Sequence, residues 1–267
     1  MSRQHDAFDR NRVHAAATGF DAAADVYERG RPDYPDEAVE ALCRECGLGA
    51  GSRLLDLAAG TGKLTRQLVP LGIDIVAVEP LPGMRRAFAQ RLPHVPVVDG
   101  TAEAIPLPDA SIDAIVVAQA FHWFDGNLAL GEIHRVLREG GALGLIWNVR
   151  DESVPWVAQL SALFEPYRSR TPSHRTGAWR DAFERSDLFA PLREWSFPHA
   201  QRVTADGLVD RVLSISFVAA LPMEERDAVA SRVRALAAGG PEKAAGGEFD
   251  LPYRTDVYAT RARAVSS

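Results

Sequence analysis

From residue 53 onward the chain alternates short apolar runs with stretches whose apolar positions recur every three or four residues. RLLDLA (53–58), DIVAVEP (74–80), VPVVDG (95–100), SIDAIVVAQA (111–120) and GGALGLIWNV (140–149) are the runs. Each is short and nearly continuous, a pattern that predicts strands buried on both faces. Between them LTRQLVPL (64–71) and PGMRRAFAQRL (82–92) predict helices, the second with a proline in its first turn. Leu130, Ile133 and Leu137 stand at helical spacing and place another helix over 126–138. Strands alternating with helices make a parallel sheet joined by right-handed crossovers, so the expected fold class is α/β, a doubly wound sandwich.

The flanks read differently. Residues 5–28 are alanine-rich and, with 36–47 after the break RPDYP, predict two helices ahead of the core. Beyond Asn148 the pattern loosens into helices and loop over 155–190, a strand over 192–203 and two helices over 204–240. The turn-rich AAGGPEKAAGGE (237–248) reads as a hinge, and LPYRTDVYATRA (251–262) as an alternating closing strand. The expected organisation is one domain: a helical cap (1–48), a core (49–150), lid helices with a sixth strand (151–247) and a closing strand (248–267). No internal repeat is visible.

Composition narrows the function classes. With 267 residues and 46% hydrophobic content the chain can bury a large core. A net charge of −6 argues against a general nucleic-acid or membrane-surface binder. No apolar run approaches the ~18 residues of a membrane helix, and MSRQHDAFDRNR lacks the apolar centre of a signal peptide. A cytoplasmic protein, monomeric or homodimeric, is the expectation. The two cysteines, Cys43 and Cys46, make a C-x-x-C near the end of a helix. A zinc site needs four ligands and no second pair exists, so they read as buried structural thiols and no metal is expected.

The chemistry starts at LLDLAAGTGK (54–63), where Gly60 and Gly62 allow backbone to approach a ligand closely. A P-loop fails, because Leu64 follows Gly62-Lys63 and Leu57 stands five before Gly62. A dinucleotide turn is weakened by Thr65 at the place of its third glycine. A nucleoside without phosphates, its cationic tail over the turn, is the third option. Asp56-Leu57-Ala58-Ala59-Gly60-Thr61-Gly62 resembles motif I of the class I S-adenosylmethionine-dependent methyltransferases, with Ala58 where the family has its first glycine. Glu79 at the end of the second strand, the segment Gly100-Thr101-Ala102-Glu103 with Ile105-Pro106-Leu107, and the junction GEIHRVLREGGAL (131–143) fit the same pattern. The resemblance covers about residues 20–150.

The resemblance implies a Rossmann-like, seven-stranded, mostly parallel sheet with an antiparallel last strand, and S-adenosyl-L-methionine as cofactor. It implies cofactor contacts from Asp56, Ala58, Gly60, Gly62, Glu79, Pro80, Met84, Thr101, Ala102, Glu103 and Gln119. Glu79 would accept from both ribose hydroxyls. Thr101, in place of the usual aspartate, would offer the adenine amine an uncharged and weaker acceptor. Tyr27, Arg31 and Tyr34 would either close over the cofactor's carboxylate or dock the N-terminal helix.

The acceptor is expected beyond the fourth strand, where Gln119-Ala120-Phe121-His122-Trp123-Phe124 lies. With YERGRPDYP (27–35) and WNVRD (147–151) this resembles the branch of trans-aconitate methyltransferase-like and other small-molecule enzymes. His122 is the candidate catalytic residue: either it takes a proton from the nucleophile, or with Trp123 it walls the pocket. Asn148, Arg150 and Arg175 are candidate substrate contacts. The segment YRSRTPSHRTGAWR (167–180) carries Arg168, Arg170, Arg175 and Arg180 with no acid, as an anion-binding lid or a solvated loop. The expected activity is methylation of a small molecule, favouring O-methylation of a carboxylate, which needs no base. N-, C- or phenol O-methylation in secondary metabolism, or cofactor binding without catalysis, are the alternatives.

Overall fold

The structure is a computed structural model, which describes residues 31–168, 172–241 and 247–264. In chain order it contains α1 (Asp36–Cys46), β1 (Arg53–Leu57), α2 (Lys63–Leu68), β2 (Asp74–Val78), α3 (Pro82–Arg91), β3 (Val97–Val98), β4 (Ile112–Ala118), α4 (Gly126–Val136) and β5 (Leu137–Arg150). There follow α5 (Pro155–Phe164), α6 (Asp181–Glu184), β6 (Arg193–Val203), α7 (Ala205–Leu213), α8 (Ser216–Ala219), α9 (Met223–Gly239) and β7 (Phe249–Arg261). The strands form one seven-stranded sheet in the order β3-β2-β1-β4-β5-β7-β6. β1 to β5 pair in parallel, while β7 runs antiparallel to both β5 and β6. This is the α/β, Rossmann-like arrangement expected from the sequence. The helix expected over 5–28 lies outside the described residues.

Apolar strands demand cover on both faces, and two clusters supply it. Leu55, Leu57, Ile115, Val117, Leu143 and Leu145 face α4 and α6 on one side. Leu54, Ile75, Ala77, Ala114, Val116 and Ile146 face α1, α2 and α3 on the other. The alternation along β1 and β4 assigns successive residues to opposite clusters. Cys43 and Cys46 belong to the second cluster as buried thiols, and burial pushes them up to about 11 and about 12. Gly144 lets α1 approach β5: a Cβ there would stand 2.5 Å from Leu42 and 2.7 Å from the Cys46 sulfur. A third cluster joins α5, α7 and α9 to the start of β7 through Val157, Leu160, Phe164, Leu208, Val212, Val233, Phe249 and Leu251.

Several boundaries shift. β3 shrinks to Val97–Val98, whereas β5 starts at Leu137, three residues before its expected start. Gly140 has φ 70 inside β5, and the β4–β5 register shifts between Ile112 and Ala114. The glycine pair thus marks an irregularity in a long strand rather than its beginning. Residues 204–240 form three helices, not two, with α8 as a short separate piece.

Candidate functional site

The carboxyl ends of β1, β2, β4 and β5 meet at one edge of the sheet, the usual place for a ligand in an open α/β fold. After Leu57 the chain enters a loop whose first two amides, Ala58 and Ala59, donate to the Val78 carbonyl at 2.8 and 3.2 Å. Ala58, Gly60 and Gly62 all have left-handed backbone, with φ of 60, 59 and 85. The two glycines serve different ends. A Cβ on Gly62 would stand 2.7 Å from Leu92 and 2.8 Å from Phe88, so that glycine is required by packing. A Cβ on Gly60 would meet nothing within 4 Å and would project into open space.

Ala58 carries backbone strain that glycine would not. A left-handed conformation costs an L-residue about 1–2 kcal/mol, partly offset by glycine's freer unfolded chain. Ala58→Gly is therefore expected to raise stability by about 1 kcal/mol. Urea unfolding checks this, and a loss of stability would overturn the strain argument.

Two acids lie beneath the loop. Asp56 is buried; its Oδ2 accepts from Thr65 Oγ1 at 2.5 Å, and its Oδ1 has no partner. Burial pushes Asp56 up to about 6, opposed by the Thr65 hydrogen bonds. Glu79 is also buried, with Oε2 accepting from the Gly60 amide and Oε1 from the Leu81 amide, both at 2.9 Å. Burial pushes it up to about 7, against the Leu81 and Gly60 amides and the Arg85 charge. Each Glu79 oxygen keeps a lone pair beyond its amide bond, so the carboxylate can steady the loop and still accept from a sugar hydroxyl.

Two cavities open at this edge. The smaller, about 50 Å³, is lined by Ala58–Thr61, Lys63, Arg31, Tyr34 and Gln119 among others. The larger, about 180 Å³, extends over His122, Trp147 and the lid. Arg31, Gln119, Asn148 and Arg211 line both. The residues Arg31–Tyr34 form a strap over the smaller cavity. Lys63 Nζ donates to the Arg31 carbonyl at 2.9 Å and pairs with Asp33 at 3.1 Å. Gln67 brackets Tyr34 through its backbone N–H and C=O. Asn148 Nδ2 donates to the Pro32 and Asp33 carbonyls at 3.3 and 3.2 Å, while its Oδ1 accepts from Thr255 at 2.6 Å. Asn148 thus fastens the strap to the sheet as well as lining the cavities.

The residues of the smaller cavity fit a phosphate-free tail bearing a carboxylate. Its floor is a glycine loop with open space over Gly60, and Arg31 and Lys63 bring positive charge to its walls.

His122 follows β4 in a 3₁₀ turn, Phe121–Trp123, whose aromatic wall it shares with Trp147. Trp147 Nε1–H donates to His122 Nδ1 at 3.3 Å. An indole nitrogen can only donate, so His122 Nδ1 must be the acceptor and the ring proton sits on Nε2. Burial, then the charges of His174, Arg31 and Arg168, push His122 down to about 3. His122 is therefore neutral and offers an N–H rather than a lone pair at Nε2. His174 stacks near Trp147 and Trp179, with centroids 4.5 and 5.6 Å away, and burial pushes it down to about 4. Gln119 has φ 60, strain held at the point where the two cavities meet.

The arginines of the lid find acids that their own segment lacks. Arg175 is gripped by both oxygens of Glu152, at 2.7 Å each, so its fork is already occupied. Arg168 bonds Glu165 at 2.8 Å and Arg180 bonds Glu194 at 2.8 Å. Arg170 lies outside the described residues. The segment, read from sequence as an anion-binding lid or a solvated loop, thus holds Arg168, Arg175 and Arg180 in ion pairs. Arg150 remains as expected at the end of β5, half-buried, its Nε donating to Ser161 at 3.1 Å and its guanidinium 4.8 Å over the Phe164 ring.

Of the other expected residues, Tyr27 lies outside the described residues. Met84 and Ala102 are buried, Pro80 and Thr101 half-buried, and none of these four, nor Glu79 or Glu103, lines either cavity. Glu103 Oε1 accepts from the Asp125 amide at 3.0 Å, which ties it to the start of α4. Trp123 stands at the rim of the larger cavity, partly exposed. Sequence reasoning missed Lys63, Trp147, Arg211 and Tyr253. Arg211 had a signal: it stands three residues after Leu208 and beside Val212, on the apolar stripe of α7.

Comparisons with known proteins show what this chain is similar to. The methyltransferase domain family matches residues 55–145. An uncharacterized methyltransferase of Mycobacterium tuberculosis is 42% identical over 236 residues, covering 88% of this chain and 92% of the relative. An uncharacterized methyltransferase-like protein of Schizosaccharomyces pombe is 35% identical, covering 88% and 91%. Among solved structures, Haemonchus contortus phosphoethanolamine N-methyltransferase 2, in complex with phosphomonomethylethanolamine and S-adenosylhomocysteine, superposes with a TM-score of 0.57 at 15% identity. That match covers 93% of this chain and 60% of the other, and speaks to the fold alone.

Proposed function

Because the chain belongs to the class I S-adenosylmethionine-dependent methyltransferases, we propose that it transfers a methyl group to an oxygen of a small carboxylate-bearing metabolite. The observation that carries this reading is the pair of adjoining cavities, a glycine-loop slot and an arginine-lined chamber, which share Gln119 and Arg211. The resemblance of the 119–124 segment to the trans-aconitate methyltransferase-like branch points the same way.

In this reading Gly60 and its neighbours receive the methionyl tail, Arg31 and Lys63 face its carboxylate, and Glu79 takes the ribose hydroxyls. When bound, the cofactor supplies an electrophilic methyl on a sulfonium. The protein's own task is placement in a site stripped of water. The strap of Arg31–Tyr34 closes one side, and Trp147, Phe164 and Phe217 wall the chamber with apolar surface. A carboxylate nucleophile is ionised at neutral pH and needs no base, which suits a His122 that carries its proton on Nε2.

The test is direct. Purified protein with S-adenosylmethionine and a panel of carboxylic acids, phenols and amines is expected to release S-adenosylhomocysteine with at least one acid. Methylation of a phenol or amine and of no acid would overturn the acceptor class. Cofactor binding without any turnover would favour a sensor.

Glu79 makes a second expectation. Its raised value means that stability it contributes is full below the ordinary carboxylate range and is lost as pH rises through about 7. Hydroxyl donors favour the ionised form, so ligand binding should expel its proton. S-adenosylhomocysteine is expected to bind more tightly as pH rises through about 7, with proton release visible by calorimetry in two buffers. Glu79→Gln should remove both effects. Affinity indifferent to pH in the unaltered protein would count against the ribose contact.

A further inference from the structure

Four large apolar side chains are exposed among the described residues: Leu71, Trp123, Leu128 and Met223. Leu71, Leu128 and Met223 line neither cavity, and single apolar residues of that kind are ordinary on a protein surface. Trp123 differs from them. It lines the larger cavity and still leaves 38% of its surface open, which places it at the mouth. A covered tryptophan buries about 150–250 Å², so an open one forgoes a large apolar contact.

The turn that carries Trp123 imposes this position. Phe121 is 1% exposed and packs on Phe124, Trp179 and Phe183, with ring centroids 5.4, 6.2 and 5.0 Å away. The Trp123 amide closes the turn on the Ala120 carbonyl at 2.8 Å. With Phe121 held in the core, the next two side chains fall at the chamber, His122 in its wall and Trp123 at its rim. Among the described residues His122 is the one ring paired with Trp123, its centroid 5.3 Å away at 39°.

A reacting carboxylate held at His122 Nε2–H fixes where the rest of the acceptor goes. Any body long enough to span those 5.3 Å passes over the Trp123 ring as it leaves the chamber. That ring is rigid and apolar, with one N–H donor and no charge or acceptor, so it covers carbon better than polar groups. We infer that Trp123 is a specificity contact for an apolar end of the acceptor, and that the natural acceptor is an acid whose carbon body reaches from its reacting carboxylate to the mouth of the chamber. This rests on the methyltransferase reading of the slot and on a carboxylate acceptor. It adds the apolar, mouth-facing portion.

Calorimetry on the full chain saturated with S-adenosylhomocysteine tests it, using butyrate, hexanoate and octanoate. A buried methylene is worth about 0.8 kcal/mol, or about fourfold in affinity. Hexanoate or octanoate is therefore expected to bind about tenfold or more tightly than butyrate. Trp123→Ala should remove most of that advantage and change butyrate by less than about twofold, while Trp123→Phe, which keeps an aromatic face, should retain most of it. Equal binding of the three acids to the unaltered protein would overturn the inference, whatever the variants do. A Trp123→Ala protein that keeps the full dependence on chain length would overturn it too, since other walls would then cover the chain. Equal weakening of all three acids by Trp123→Ala would do the same, by making Trp123 a support for His122 instead. Failure of S-adenosylhomocysteine to bind the unaltered protein would overturn the inference together with the reading of the slot, whereas the other adverse results leave that reading standing.

Discussion

Gly62→Ala is expected to lower the stability of the fold by about 3 kcal/mol, the sum of a left-handed backbone and an overpacked core. Gly60→Ala, two residues earlier, is expected to cost only about 1–2 kcal/mol in stability, yet to weaken S-adenosylhomocysteine binding tenfold or more. Both residues have positive φ, 85 and 59, so backbone strain is common to the pair. What differs is where the new methyl goes. At Gly62 it meets Leu92 at 2.7 Å and Phe88 at 2.8 and 2.9 Å, and Phe88 is fully buried between α3 and the sheet. Those side chains cannot retreat without shifting the helix. At Gly60 the methyl meets nothing within 4 Å and enters the space of the slot that Gly60 lines. Urea unfolding and calorimetry on both variants separate the effects. If Gly60→Ala bound the ligand normally, the slot would not be where the cofactor's tail lies.

Much of this fold was legible because its strands are apolar on both faces. β1, β2 and β4 fall within a residue or two of their expected limits, since a continuous run bounded by Gly, Pro or Asp leaves little freedom. The elements that shifted depend on distant partners. β5 extends back to Leu137 only because Ile112 of β4 pairs with it across an irregular register, and Gly140-Gly141 looked locally like a start. The insertion of β7 between β5 and β6 joins residues more than a hundred positions apart, such as Ile146 with Val257. No periodicity along the chain records that pairing.

The site divides in the same way. The glycine loop and the acids beneath it follow from local spacing, and Asp56, Gly60 and Glu79 do converge. The arginines show the limit of counting charges by segment. YRSRTPSHRTGAWR contains no acid, yet Glu152, Glu165 and Glu194 arrive from either side of it in the chain and pair with Arg175, Arg168 and Arg180. Arg211 stays outside these pairs, its Nη1 without a hydrogen-bond partner among the described residues, on a helix whose stripe of Leu208 and Val212 made it look ordinary. Its meaning depends on which side chains face it, information held in tertiary structure.

His122→Ala is expected to lower kcat by on the order of 10²-fold, while His122→Gln should recover most of that loss. The reasoning runs through Trp147, whose indole N–H is 3.3 Å from His122 Nδ1 and can only donate. With Nδ1 committed as acceptor, Nε2 holds the proton and can position one oxygen of a carboxylate while the other attacks. Glutamine's amide can present an N–H at a comparable reach, so a donor role predicts rescue. A general base predicts no rescue, since a side-chain amide does not take a proton at neutral pH. The pH profile gives an independent readout. Because His122 is pushed down to about 3, kcat should show no histidine limb between about pH 5 and 8, and Trp147→Phe, by freeing Nδ1, should disturb that flatness. A rate that climbs with a midpoint near 6.5 in the unaltered enzyme, together with a His122→Gln variant as slow as His122→Ala, would instead make the imidazole a base and reverse its tautomer.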